Sequence, residues 1–251
     1  MAEVRLALDA MRTRFECVLH GADAARLRAA GEEALREIRA AEAELSFFRN
    51  DSALTRMNRE AAAGWTRVPE RMFRMLQSCR AVYAASDGSF DPGFRAAPAV
   101  GFAAVELDAA RRAVRYADPR LALDFGAIGK GEALDRAAAV LRENGVESAL
   151  LHGGTSSVLA IGAPPDTLGW QVGIGDLACV LLRDAALGVS GNARSHIFDP
   201  RSGAAAAGAT RLAAVVARSA AAADAASTAL LVLGRDEFEF RRYPEEPFIV
   251  P

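Results

Sequence analysis

Leu27, Ala34, Ile38, Ala41 and Leu45 recur at helical spacing and predict a long amphipathic helix over residues 24–45. Just before it, residues 13–20 alternate polar and apolar, with Phe15, Cys17 and Leu19 on one side, as a strand does. Met72, Leu76, Cys79 and Tyr83 mark a second helix that begins after Pro69 and is stopped by Asp87-Gly88. Between the two helices, residues 46–58 (SFFRNDSALTRMN) are polar and turn-prone, and SFDPGF further on forms a tight loop. Residues 100–107 and 113–116 predict a hairpin around a polar turn, and residues 121–125 a third strand. GAIGKGEALDRAAAVLREN is a glycine-rich turn entering a helix that ends at Asn144-Gly145. Short strands follow at 148–151, 158–161, 171–174, 178–182 and 212–217, then an Ala-rich helix over 219–234. The tail from residue 235 is charged, contains proline and is expected to pack on the surface. Strands and helices mix without regular βαβ alternation, which predicts an α+β fold. With no internal repeat and no linker-like stretch, residues 1–251 are expected to form a single domain.

Composition narrows the function classes. A chain of 251 residues, 51% hydrophobic and 25% charged, is ordinary globular material with ample core. A formal net charge of -2 without a basic stripe argues against a nucleic-acid partner. Cys17, Cys79 and Cys179 lie far apart without a CxxC pair, as reduced core-filling thiols do, rather than a disulfide framework or zinc site. The N-terminal residues carry charges every few positions, with no apolar signal region and no lipid-accepting cysteine. No run approaches the roughly 18 apolar residues of a membrane span. The expected location is cytoplasmic as the chain stands, or periplasmic if an export signal has been trimmed.

Four stretches carry candidate chemistry. SGNARSHIFDPRSG, residues 190–203, sets His196 among Arg194, Asp199 and Arg201 between two Ala/Leu/Val runs, where a scaffold presents functional groups. A turn histidine bonded to backbone is the plainer reading of His196. In the Ala-rich helix, Asp224 and Thr228 stand four residues apart on one face, both hard oxygen donors suited to Mg²⁺. Such pairs are commonly solvated or back-bonded, but an apolar helix should be buried, and a buried Asp requires a partner: a metal, Arg194 or Lys130. DFGAIGKG, residues 124–131, places backbone N–H groups and Lys130 at a helix start, which suits phosphate; it equally fits a tight connection with an exposed lysine. It is not a P-loop, which needs four residues between its glycines and a Ser or Thr after the lysine. LHGGTSS, residues 151–157, is a second glycine turn, explained most simply as a sharp bend. Phe47 and Phe48 suit either stacking on a planar ligand or a core aromatic pair.

Taken in order, MRTRF, LSFFRNDSALTRMN, SDGSFDP, LDFGAIGKGEALD, HGG, SGNARSHIFDPRSG and AAADAASTALLVLG resemble the ApbE family of flavin transferases over about residues 11–234. The resemblance implies a single ApbE-like, T-fold-related α+β domain of mixed sheets packed with helices. It implies transfer of FMN from FAD, the substrate, to a Thr or Ser of an acceptor protein, such as a membrane redox subunit, with release of AMP. Met11, Phe48, Ser89, Phe90, Asp91, Asp124, Lys130 and Ile197 are implied to surround FAD. Asp224 and Thr228, with Ser227 and the carbonyl of Ala127, are implied to hold Mg²⁺, and His196 to activate the incoming hydroxyl. The chain departs from the family pattern with Arg12 for a glycine, Phe48 and Glu132 for tyrosines, and a short segment after SFDPGF. The alternatives are an FAD pyrophosphatase without a protein acceptor and an FAD-binding protein without turnover.

Overall fold

The structure is a computed structural model that describes residues 1–94, 100–191, 197–206, 210–234 and 236–242. It opens with β1 (Ala2–Ala10) paired antiparallel to β2 (Thr13–Gly21). No strand is expected above for residues 2–10, although Val4, Leu6, Leu8 and Ala10 alternate toward the core along it. Met11 and Arg12 form the two-residue turn, with φ of +49° and +61°. Such a turn matches the twist of its strands and is entered most easily by glycine or asparagine.

α1 (Ala24–Leu45) is the expected helix; the Asp23 carboxylate accepts from the amides of Ala25 and Arg26 at its start. The polar, turn-prone stretch of residues 46–58 runs into α2 (Ala53–Ala63), capped by Ser52 and burying Leu54, Met57 and Ala61. These three apolar positions make a narrow stripe that the surrounding polarity hides. β3 (Thr66–Arg67) and α3 (Glu70–Ala85) follow, with Pro69 immediately before the helix. β4 (Val105–Asp108) and β5 (Ala113–Tyr116) complete a three-stranded sheet in the order β3-β5-β4. Residues 102–104 form a 3-10 turn, so the first arm of the predicted hairpin is shorter than expected.

The third strand expected at 121–125 does not form. Leu121, Leu123 and Phe125 are buried in alternation, which produces the strand-like pattern. Their backbone, however, pairs with no ladder: the Asn58 side chain accepts from the Leu123 amide and donates to its carbonyl, both at 2.9 Å. The Asp124 amide donates to the Pro92 carbonyl.

α4 (Gly129–Glu143) ends at Asn144 and Gly145, as predicted. β6 (Ser148–Gly153), β7 (Ser157–Ile161), a hairpin of β8 (Trp170–Ile174) and β9 (Ala178–Leu182), β10 (Ala185–Gly191), β11 (Leu212–Ala217), α5 (Ala220–Leu233) and β12 (Phe238–Arg242) follow. The main sheet runs β1-β2-β6-β7-β10-β11-β12, antiparallel throughout except where β12 joins β11 in parallel. Part of the tail expected to lie on the surface is therefore an edge strand.

The sheet separates two cores. Leu151, Leu159, Ala213 and Val215 face the helices, whereas Val158, Ala160, Leu187, Ala214 and Val216 face the β8–β9 hairpin, packing on Trp170, Ile174, Val180 and Leu182. Adjacent residues point to opposite faces, so each strand serves both cores. Cys17 and Cys79 are buried as expected, but Cys179 is exposed on the outer side of β9.

Candidate functional site

One end of the main sheet brings several of the candidate stretches together. The register places the β1–β2 turn, the β6–β7 turn and the end of β10 together: Phe15 pairs with Gly153, and Ser157 pairs with Gly188. The backbone at Gly154 has φ +63°, and a Cβ there would lie 2.3 Å from the Thr13 hydroxyl, so the two turns touch. The bend expected of this glycine pair is real.

α5 and the start of α4 close the site. A Cβ on Gly131 would lie 2.1 Å from the carbonyl oxygen of Ala220, so only glycine lets α4 approach the start of α5 this closely. The Asp135 carboxylate, one turn further along α4, accepts from the Ala220 and Ala221 amides and the Ser219 hydroxyl, capping α5 from its neighbour. Burial raises the Asp135 carboxyl to about 6, with the nearby Glu132 charge adding to the rise and those three donors opposing it.

Asp224 lies at the centre of this contact. It is 5% exposed on a helix whose neighbouring residues are nearly all buried alanines. One carboxylate oxygen accepts from the Gly131 amide at 2.8 Å, the other from the Ser157 hydroxyl at 2.7 Å. Burial raises its carboxyl above the usual carboxylate range; the Lys130 charge, the Ser157 hydroxyl and the Gly131 amide pull the other way. Of the partners proposed for a buried Asp224, Lys130 thus acts on it electrostatically, and two neutral donors not anticipated complete the set. Ser227 and the half-buried Thr228 present hydroxyls on the same helix, and both lie within hydrogen-bond distance of the Ser190 hydroxyl. Ala127 sits in the turn of residues 125–128 that leads into α4.

The residues implied to surround the cofactor fall into two groups. Met11, Lys130 and Ile197 are half-buried, as is Asp124, whose carboxylate accepts from the Gly126 amide. Phe48 is 66% exposed and meets the half-buried Phe47 edge to face, with ring centres 5.7 Å apart. Ser89 and Phe90 are instead 1% exposed, and the Ser89 hydroxyl donates to the Ser86 carbonyl. The Asp91 carboxylate accepts from the amides of Gly93 and Phe102, tying these two residues together. Burial still raises its carboxyl above the ordinary range. In the His196 segment, Asp199 and Arg201 pair with each other at 2.7 Å. His196 and Arg194 lie outside the described residues.

Glu132, the departure next to Gly131, is bound to Arg136 at 2.7 Å, and Arg136 also reaches Glu44 on α1 at 2.6 Å. Ser157 and Ser190 are the site residues that motif reasoning missed. Ser157 carried a weak signal as a hydroxyl after a glycine turn; Ser190 opened the candidate stretch of residues 190–203 but had no role assigned to it.

Among the described residues no cluster of three His, Cys, Asp or Glu side chains forms a metal site. A buried carboxylate beside hydroxyls and a lysine at a helix start has instead the chemistry of a protein able to hold a hard cation and a phosphate ester. The Ile128, Gly129 and Gly131 amides, however, already donate to Phe125 and Asp224. The ApbE family model matches residues 11–242, and the chain belongs to the ApbE family. A Rhodobacter capsulatus protein named FAD:protein FMN transferase is 32% identical over 229 residues, covering 74% of this chain and 43% of that protein. One of the same name from Treponema pallidum (strain Nichols) is 27% identical over 268 aligned positions, covering 85% of this chain and 74% of its own length. The chain thus spans less than half the length of the Rhodobacter relative. Among solved structures, the ApbE protein of Thermotoga maritima superposes with a TM-score of 0.84 at 22% identity, covering 92% of this chain and 87% of that one. The Pseudomonas stutzeri flavinyl transferase ApbE in its apo form gives 0.82 at 24% identity, covering 92% and 86%. At these identities the likeness is one of fold, and it bears out the α+β expectation.

Proposed function

We propose that this chain is an Mg²⁺-dependent FAD:protein FMN transferase, moving FMN from FAD onto a Thr or Ser hydroxyl of an acceptor protein and releasing AMP. The observation that carries this reading is Asp224, a buried carboxylate held in place on the same helix as two hydroxyls and facing Lys130 and the α4 start. Membership of the family and the names of the two relatives support the flavin as the group transferred.

The donor set fits Mg²⁺. Asp224, Thr228, Ser227 and the Ala127 carbonyl offer only hard oxygens. Each Asp224 oxygen accepts one hydrogen bond, from the Gly131 amide or the Ser157 hydroxyl, and retains capacity for another partner. A cation would also stabilise the ionised form that burial opposes. When bound, the ion supplies neutralisation of the charge that develops on the pyrophosphate as AMP departs.

The chain's own residues do the rest. Ser157 and the Gly131 amide orient the Asp224 carboxylate, while the Lys130 charge and the positive end of α4 draw the phosphates to this end of the sheet. Met11, Phe48, Asp124 and Ile197 line the flavin side in this reading. Ser89, Phe90 and Asp91 support that wall by packing and by the Asp91 bonds to Gly93 and Phe102. His196 takes the proton from the acceptor hydroxyl.

AMP release from FAD, compared in Mg²⁺ and in EDTA with and without a Thr-bearing acceptor domain, tests the proposal. Mg²⁺-dependent AMP together with a fluorescent acceptor band is expected. AMP and free FMN without labelling would replace transfer by hydrolysis, and FAD bound but unchanged would leave a binding protein.

A further inference from the structure

β10 and α5 touch at Gly188, where a Cβ would lie 2.3 Å from the Ala223 carbonyl group. Two residues on, the same strand face turns Ser190 toward the helix. One helical turn beyond Ala223 it meets Ser227. Ser190 Oγ lies 2.8 Å from Ser227 Oγ and 3.2 Å from Thr228 Oγ1. Ser227 and Thr228 also reach back to the Asp224 carbonyl, at 2.9 and 3.3 Å.

These contacts outnumber the protons available, because each hydroxyl donates once. The assignment that keeps the three shortest contacts is an ordered chain: Thr228 donates to Ser190, Ser190 to Ser227, and Ser227 to the Asp224 carbonyl. The contact left without a proton is the longest, between Thr228 and that carbonyl. In this chain Thr228 Oγ1 gives its proton to Ser190 and keeps both lone pairs available.

We propose that Ser190 is a positioning residue for the oxygen-donor face of α5. By accepting the Thr228 proton it fixes Thr228 Oγ1 as a cation ligand rather than a donor back-bonded to its own helix. This rests on the Mg²⁺ reading above, and it assigns Ser190 a share of the cation affinity without contact to the cation.

The test is binding of Mn²⁺ to the full chain with excess FAD, free Mn²⁺ being read by electron paramagnetic resonance against an FAD-only blank. Ser190→Ala is expected to weaken Mn²⁺ binding about 10-fold, as loss of a hydrogen bond that orients a ligand does. Its metal-free thermal midpoint should stay at the wild-type value. Ser190→Thr, which restores the hydroxyl, should restore binding. Wild-type binding with an equal affinity in Ser190→Ala overturns this inference alone, as does a Thr variant as weak as the Ala variant. A wild-type chain that takes up no Mn²⁺ beyond the blank overturns the metal reading and the role of Ser190 with it.

Discussion

Asp224 is both a candidate ligand and a structural acceptor, and its substitution should separate the two roles. Asp224→Ala deprives the Ser157 hydroxyl and the Gly131 amide of their acceptor, a loss of about 1–3 kcal/mol for each group left unsatisfied. Removing a carboxylate that burial disfavours offsets part of this. The expected result is a modest fall in stability by denaturant unfolding and a fall in AMP release on the order of 100-fold or more, the scale of losing one group that stabilises transition-state charge. Unchanged AMP release would remove Asp224 from the metal site. That it shares one helical face with Thr228 was legible from their four-residue spacing. Ser157 and Ser190 were not, since they stand 67 and 37 residues from their partners on α5.

The glycine turn into α4 has two glycines with opposite demands. A Cβ on Gly129 would meet nothing, and its φ is not positive, so Gly129→Ala is expected to stabilise by about 0.5–1 kcal/mol through helix propensity. Gly131→Ala drives a methyl into the Ala220 backbone and should cost about 3 kcal/mol or more while parting α4 from α5. Thermal unfolding of the pair checks both signs. Asp135, which caps α5 across the same contact, makes this junction pH-sensitive. Its folded-state carboxyl is raised to about 6 from an ordinary value of 3.8. Folding therefore favours the protonated form. The stabilisation is fully present below about pH 4 and is lost as pH rises through about 6, a change on the order of 3 kcal/mol. Asp135→Asn removes this titration, so wild-type stability measured relative to the variant should fall between pH 4 and 7. A difference that stays flat with pH would show that the three donors hold the carboxylate ionised throughout.

On the scale of the whole molecule, the two faces of the main sheet divide labour: one carries the helices and the candidate site, the other the β8–β9 hairpin. Trp170 joins the second core, donates to the Ile161 carbonyl and stacks on His20, at the far end of β2 from the Met11–Arg12 turn. Trp170→Ala should cost about 3–5 kcal/mol and raise hydrogen exchange across residues 170–182, yet leave AMP release per folded molecule unchanged. A parallel loss of activity would mean that the hairpin side supports the site. What the sequence determined by itself was local: the span of α1, the stops at Gly88 and Gly145, the short strands at 148–151, 158–161, 171–174, 178–182 and 212–217, and the oxygen donors on α5. These follow from periodicity and turn chemistry acting within a few residues. Tertiary structure decided the rest. The alternating Leu121–Leu123–Phe125 segment lost its strand to the Asn58 side chain, and part of the tail gained a parallel pairing with β11. Asp224 became a held carboxylate only through an amide from α4 and a hydroxyl from β7. Pairing partners and buried acceptors depend on which distant backbone comes near, and hydropathy along the chain does not encode that proximity.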